Sequence, residues 1–585
     1  MIRYTKRKKT IGLVLENTST DYGEEFISNV ISGVRQRKNL NLVVIAGRYD
    51  GTKNKDPRHR HYFSVYNTVY QLERRCRFDG LIICLGSMEN VNADRIRSRY
   101  REQMKNTPIV FAASDIDDCV VVNYNNETGI KEAVDCLINV NGFTRFAMLG
   151  GRPDSRDSEL RKEIYIKLLR ENGIDFLPEN YEPTDMSTNC TDSAKALLDR
   201  NPDVQAIFCV NDSVAEALYA AMDEKHLVPG RDIMVFSFDN TTMAGRMLPA
   251  LSSIGVADIT LGRQALNLLL SLMDGEEVAS TEIPTRLYGR DSLPYEMYEY
   301  TKLEMRNADK AFINRMFNDC FYRYRYEYIS RDSVNLQRLF AEFIGRILVA
   351  VRERYMSVED FSEAQDLIEI FFSNGAMDYT DAAKFLHSVG RLQASVNIEQ
   401  SANLAGANQF INRLFTLMRD RAITAQAEKI IEGNERRENF RTAFQEFIID
   451  VTEKDGGKPD QAEIENRIIA SFDKVGIDNA ALYLFEKRVL FDDSNDDLFP
   501  DWIRLRCVIK EGELYIIPKE RQDGLTDLLF QRMELPPKCR ECLVLPLIYK
   551  TSIYGFIVTQ MTKEIASSGE FIASQIGRLL YEGEI

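Results

Sequence analysis

The sequence predicts an α/β protein with parallel sheets, followed by an all-α segment and a closing α+β part. Three observations predict it. Two short apolar runs, Ala206 to Val210 and Ile233 to Phe238, each stop at an Asn/Asp pair and flank an Ala-rich helical stretch. Strands covered by helices on both faces read as continuous apolar runs, and parallel sheets are the ones covered in this way. From Pro294 to about Arg437 there is no further proline and little glycine, and apolar residues recur at helical spacing. Beyond Glu438 strand-length apolar runs return. The expected domains are therefore 1–292, 293–437 and 438–585.

Ala206 to Val210 stops at Asn211-Asp212, and Ile233 to Phe238 stops at Asp239-Asn240, with an Ala-rich helix between them. That is a β-α-β unit, and ligands bind beyond the carboxyl ends of strands in such sheets. Asp212 and Asp239 are thus expected to face one cleft. Leu336 to Ile344 is amphipathic at helical period, and the longest helical candidate runs from Asn397 to Ile431 and ends in the mixed-charge run GNERRENF. Heptads are not sustained, which favours a bundle with a connecting helix over a coiled coil. A helix (Ile464 to Phe472), strands (Ala480 to Phe485, Leu514 to Ile517, Cys542 to Leu547, Gly555 to Thr559) and a final amphipathic helix (Phe571 to Tyr581) complete the chain.

Composition limits the function. With 585 residues the chain has room for about three or four domains. A net charge of −15 opposes direct nucleic-acid binding, which needs a basic face, and the Lys6 to Lys9 cluster reads as a solvated tail. No apolar run reaches spanning length and no signal peptide is apparent, so a cytoplasmic protein is expected, without membrane partners. The ten cysteines, many inside apolar strands, read as reduced core residues. Cys539-Arg540-Glu541-Cys542 lacks a second ligand pair at zinc spacing. The four histidines are scattered, and there is no P-loop, nucleophile elbow or dinucleotide fingerprint. No enzyme activity, cofactor or metal is expected.

The segment Val204 to Gly262 resembles the effector-binding core of the LacI/GalR repressors and the related type I periplasmic sugar-binding proteins, with their patterns "AIF..ND..A" and "GFDD/N". Lys9 to Val14, Phe78 to Ile83 and Pro108 to Phe111 resemble strands of the same family, Val122 to Gly129 its helix start and Phe143 to Gly151 its glycine-pair loop, all in the same order up to Ser292. The resemblance implies a two-lobed domain that closes on a small, sugar-like effector, and a homodimer. Only MIRYTKRK precedes the first strand, where repressors carry a helix-turn-helix, so any role in transcription is expected to run through a partner.

Residue by residue, the resemblance makes Asp239 the acceptor of a pair of ligand hydroxyls, Asn211 and Asp212 the "ND" pair, and Arg161 the ligand-contacting arginine. Asp21 and Tyr22 lie in the first strand-to-helix loop, with Tyr22 as the stacking ring, and Ser87, Ser114 and Asp115 lie in the second and third loops of the amino-terminal lobe. Asp, Asn and Arg that accept and donate in fixed geometry beside an aromatic ring suit a polyhydroxylated ligand. Asn211 also reads as a helix cap, since Asn is favoured there regardless of ligand, and Arg161 has an alternative as a surface helix residue. Two departures stand out: Ser237 replaces the glycine of "GFDD", and Ile254-Gly255-Val256 replaces a segment that carries an amide in many sugar binders.

LVLPLIYKTSIYGFIV with its following helix resembles the end of a GAF domain. The order of the three parts resembles the sensory half of bacterial signalling proteins whose output is a GGDEF diguanylate cyclase, a histidine kinase or an AraC-type domain. The sequence reading is a ligand sensor that relays closure through helices to a GAF-like domain and a signalling partner. The alternatives are the regulatory portion of a cyclase or kinase with its output elsewhere, and an interaction scaffold without ligand.

Overall fold

The structure is a computed structural model and describes residues 8–584 apart from 19–20, 49–56, 85–105, 115, 117, 154, 294–299, 301–303, 306, 326–333, 400–404, 453–471, 473–474, 493, 496 and 532–538. The chain divides into two compact units, one of Met1–Tyr124, Thr260–Ile283 and Glu435–Ile585, the other of Asn125–Ile259 and Pro284–Asn434. These units group the chain differently from a linear division at residues 292 and 437.

In the first unit, strands β1 (Lys9–Leu15), β2 (Leu40–Ala46), β3 (Gly80–Cys84), β4 (Ile109–Ala112) and β5 (Val120–Asn125) pair in parallel in the order β2-β1-β3-β4-β5. Helices Asp21–Arg35 and Leu261–Met273 pack against this sheet and each other, leaving Ile11, Leu13, Leu42, Ile82 and Val110 without solvent contact. The apolar runs are continuous because both faces are covered.

The second unit holds β6 (Phe146–Leu149), β7 (Tyr181–Glu182), β8 (Ala206–Cys209), β9 (Met234–Phe238), β10 (Ser252–Val256) and β11 (Thr281–Tyr288). The order is β7-β6-β8-β9-β10-β11, parallel except for β11, which runs antiparallel to β10. Phe208 and Phe236 stack at 4.7 Å on neighbouring strands, and Tyr165 from helix Arg156–Glu171 closes over them. The same unit contains helices Lys310–Cys320, Leu336–Glu353, Val358–Ser373 and Ala382–Glu399. Their core is aromatic, with Phe317, Phe321, Phe340, Phe343, Phe371 and Phe385 in successive ring contacts. The longest helix, Ala405–Thr452, carries GNERRENF inside it rather than ending there. Most residues from Ile423 to Glu446 are at least partly exposed, so the polar run costs nothing to desolvate.

The first unit resumes with β12 (Ala480–Leu490), β13 (Trp502–Lys510), β14 (Glu513–Ile516), β15 (Asp523–Leu525), β16 (Glu541–Tyr549) and β17 (Ser552–Gln560), closed by helix Lys563–Glu584. Strands β16-β17-β12-β13 are antiparallel neighbours, and β14 and β15 both line the far side of β13. The sequence reading has no strand at Trp502–Lys510, because Arg504, Arg506 and Lys510 break its apolar pattern; only Ile503 and Cys507 to Ile509 are buried there. The helix expected at Ile464 to Phe472 falls almost wholly outside the described residues.

Strand β16 also pairs in parallel with β2, from Glu541 opposite Leu42 to Val544 opposite Ile45. The sheet of the amino-terminal strands therefore continues into the carboxy-terminal strands. Val43, Ile45, Val65 and Tyr66 share one buried cluster with Ala481, Phe485, Val544 and Phe556. Ion pairs of Arg48 with Glu570 and Arg75 with Asp501 flank the joint. Among the described residues, no helix is long and apolar enough to cross a membrane.

Candidate functional site

Strand β9 ends at Phe238, and the chain then turns through two residues in the left-handed region, Asp239 at φ 100° and Asn240 at φ 47°. Non-glycine residues hold such angles only where their surroundings over-determine them, and such positions cluster at functional sites. Here the Asp239 amide donates to the Ile254 carbonyl (2.8 Å) and the Asn240 amide to the Ser253 hydroxyl (2.9 Å). Gly255 permits this approach, since a Cβ at that position would lie 2.6 Å from the Asn240 Cβ. The departure at Ile254-Gly255-Val256 thus makes room for the turn.

Asp239 projects beside Arg161. The guanidinium lies 3.7 Å from the centre of the Phe238 ring and donates to the Asn126 side chain (3.2 Å), the Val210 carbonyl (2.8 Å) and Asp239 Oδ1 (3.4 Å). Arg161 is 3% exposed, so it is an interior group held on three sides rather than a surface helix residue. Burial pushes the Asp239 carboxyl up to about 6, with Asp212 and Asp157 adding to the rise and Arg161 opposing it. The contact with Arg161 is long, which leaves the carboxylate capacity to accept further hydrogen bonds.

Asn211 and Asp212 have different duties. Asn211 caps helix Asp212–Glu224 by accepting from the Val214 amide (2.9 Å), while its amide donates to the Met186 carbonyl (3.1 Å). Both ends of its side chain are engaged, in keeping with the capping alternative. Asp212 is 2% exposed and accepts from the Ser237 and Ser253 hydroxyls and from the amide and hydroxyl of Thr241. Burial raises its carboxyl above the usual range against those four bonds. The expectation that Asp212 itself faces a cleft is therefore revised: it ties the ends of β9 and β10 together behind the turn. Ser237, the other departure, is one of its donors.

The network continues into the helices. Arg290 is 2% exposed and donates to Asn240 Oδ1 (2.7 Å), the Leu251 carbonyl (2.9 Å) and Asp381 Oδ2 (3.0 Å). Asp381 accepts from Tyr322 (3.2 Å) and from the Lys384 amide (2.8 Å) at the start of helix Ala382–Glu399. Burial acts to raise the Asp381 carboxyl, but the Arg290 charge and the hydrogen bonds from the Lys384 amide and Arg290 outweigh it and hold it low. Asn126, Asn240, Arg290 and Asp381 are absent from the sequence reading of the site. Asn240 and Asn126 carry a signal, an amide beside a strand end, whereas nothing local marks Arg290 or Asp381.

The remaining candidates belong to the first unit. Tyr22 is half-buried in helix Asp21–Arg35, with its hydroxyl 3.7 Å from Cys84 Sγ and its ring 6.2 Å from Phe26. Asp21 is the first residue of that helix. Ser114 is buried, its hydroxyl accepting from the Ile116 amide (3.2 Å). Ser87 and Asp115 lie outside the described residues. Among the described residues, no group of three or more His, Cys, Asp and Glu side chains is placed to hold a metal.

In open parallel sheets ligands bind beyond the carboxyl ends of the strands, which is where Asp239 stands, just past β9. Residues 135–293 match the family model of the periplasmic binding protein-like domain, and the chain is similar to repressors of the LacI/GalR type. It is 27% identical over 297 residues to the probable HTH-type transcriptional repressor ExuR of Bacillus subtilis (strain 168), a match covering 49% of this chain and 82% of that repressor. It is 31% identical over 196 residues to the ribose operon repressor of Escherichia coli (strain K12), covering 33% of this chain and 58% of that protein. Among solved structures, a transcriptional regulator CelR-cellobiose complex aligns with 49% of this chain and 85% of its own, at 20% identity and a TM-score of 0.41.

Proposed function

We propose that the protein is a ligand-sensing regulator that binds a small, sugar-like effector through Asp239 and Arg161. The observation that carries this reading is the strained turn at Asp239, which sets a carboxylate with free acceptor capacity beside a guanidinium already fixed by Phe238, Asn126 and Val210. A carboxylate accepts from adjacent hydroxyls and a fixed guanidinium donates in a planar fork, which suits a polyol better than an apolar ligand. The similarity to the ribose operon repressor supports the effector class, and that to both repressors supports a role in transcription. With a strongly acidic chain, we assign that role to a partner protein, and we read the assembly as a homodimer.

The signal leaves the site through Asn240. A ligand that shifts the turn moves a side chain hydrogen-bonded to Arg290, which pairs with Asp381 at the head of a bundle helix. The ligand can drive this only by binding one arrangement more tightly than the other. The end point in this reading is the carboxy-terminal domain, which we take as GAF-like, reached along helix Ala405–Thr452.

The test is thermal unfolding of the full chain against mono- and oligosaccharides, nucleosides and purines. A ligand at a hundred times its Kd adds about 2.7 kcal/mol of stability. The expected outcome is a saccharide that raises Tm in the parent chain and fails to do so in Asp239→Ala and Arg161→Ala. A ligand that stabilises all three equally removes these residues from the site.

A further inference from the structure

Cys539 and Cys542 flank the start of β16, and their sulfurs lie 3.8 Å apart. The two thiols are unequal: Cys542 is fully buried, whereas Cys539 is partly exposed. This is the arrangement of an attacking thiol in front of a resolving one.

The pair occupies a structural joint. Between the two cysteines, the Arg540 carbonyl accepts from the Leu42 amide (2.7 Å), and its guanidinium donates to the Arg37 carbonyl (2.8 Å) and the Arg35 carbonyl (3.3 Å). Glu541 accepts from Arg35 (3.4 Å), and its backbone is the first to pair with β2. The Cys539–Cys542 segment is therefore the seam along which the carboxy-terminal strands join the amino-terminal sheet.

We propose that Cys539 and Cys542 form a reversible dithiol–disulfide switch, oxidised by exchange with a low-molecular-weight disulfide, that resets the β2–β16 seam. The Cys539 thiolate attacks one sulfur of the incoming disulfide, forming a mixed disulfide and expelling one thiolate. Cys542 then attacks the Cys539 sulfur, closing the intramolecular bond and expelling the second thiolate. Two protein thiols are oxidised, one external disulfide is reduced to two thiols, and the two protons pass to those thiols or to water. The hydrogen bond from Cys542 lowers the Cys539 thiol below its usual range, and that bond together with burial raises Cys542, so the exposed sulfur is the one that ionises. A disulfide needs its sulfurs at about 2.05 Å. Closure from 3.8 Å therefore displaces the Cys539 segment against the bonds of Arg540 and Glu541.

The test is a titration of the full chain in mixtures of reduced and oxidised glutathione, with acid quench, alkylation and peptide mapping. The expected product is a Cys539–Cys542 disulfide, with the other cysteines still alkylatable after unfolding. In Cys542→Ser, glutathione is expected to persist on Cys539, and in Cys539→Ser no adduct forms at position 542. Hydrogen exchange of residues 35–45 is expected to change on oxidation in the parent chain and not in either variant. The proposal is overturned if no such disulfide forms at any ratio, if Cys542 carries the adduct, or if oxidation leaves exchange at residues 35–45 unchanged. The variants replace one atom in each thiol, and their parent-like Tm serves as the check on folding.

Discussion

At the level of single residues, two aspartates at the ends of adjacent strands have been given opposite tasks by their neighbours. Among the described residues, Asp212 is enclosed by four donors and Asp239 has one long contact, to Arg161. Substituting Asp212 with Ala strands the Ser237 and Ser253 hydroxyls and the Thr241 groups, and is expected to cost about 3 kcal/mol in urea unfolding. Asp239 has the opposite pH signature from a salt-bridged carboxylate. Its folded value of about 6 lies above the unfolded carboxylate range, so folding is favoured while the proton is on. That contribution is present in full below about pH 4 and is lost as pH rises through 6, a difference on the order of 3 kcal/mol. The difference in unfolding free energy between the parent and Asp239→Asn is expected to vary across pH 4–7 in this sense. Effector affinity is expected to run the other way, falling as pH drops below 6 because the protonated carboxyl accepts fewer hydroxyls; calorimetry at pH 5 and 7 checks it. In Asp239→Asn that pH dependence is expected to vanish.

At the level of elements, the buried Arg290–Asp381 ion pair joins the strand ends to the helices, beside the more exposed pairs His387–Asp291 and Arg286–Asp319. Removing one partner leaves an uncompensated buried charge, so Arg290→Met is expected to destabilise by about 3–5 kcal/mol in denaturant unfolding. The double variant Arg290→Met, Asp381→Leu is expected to recover much of that loss, because replacing both charges removes the desolvation penalty as well as the pair. If the pair also carries the ligand signal, the double variant will bind effector while hydrogen exchange in helix Ala382–Glu399 stops responding to it. The long helix illustrates a different competition. GNERRENF reads as a terminator because Gly and Asn are poor helix formers, yet helix continues through Gly433 and Asn434 to Thr452. A glycine costs about 1 kcal/mol in a helix interior, which the ordered turns on either side offset.

At the level of the whole chain, the shared sheet makes a linear division between the amino-terminal and carboxy-terminal parts physically costly. Cutting after residue 292 removes β16 from β2 and uncovers Val43, Ile45, Val65 and Tyr66, all at most 3% exposed in the full chain. An unpaired strand edge beside an apolar face is a template for association. The fragment 1–292 is therefore expected to be less stable than the full chain and to self-associate at micromolar concentration, which sedimentation velocity checks. A monomeric, stable fragment would show that β2 tolerates an open edge.

The sequence alone determined the parallel α/β character of the amino-terminal half, the β-α-β unit around Asn211 and Asp239, the helical stretch after Lys310 and the strands at Cys542 and Gly555. These are set by local periodicity and by short polar motifs at strand ends, which a single pass along the chain can read. It did not separate Asp212 from Asp239, since both are aspartates beyond apolar strands; only the packing of Ser237, Ser253 and Thr241 around one of them does so. The strand Trp502–Lys510 was hidden because Arg504 and Arg506 interrupt it, and a half-buried strand carries no continuous apolar run. The Arg290–Asp381 pair and the β2–β16 seam join residues 91 and about 500 positions apart. No local pattern encodes such contacts, because the burial that makes them favourable exists only once the distant segments have met.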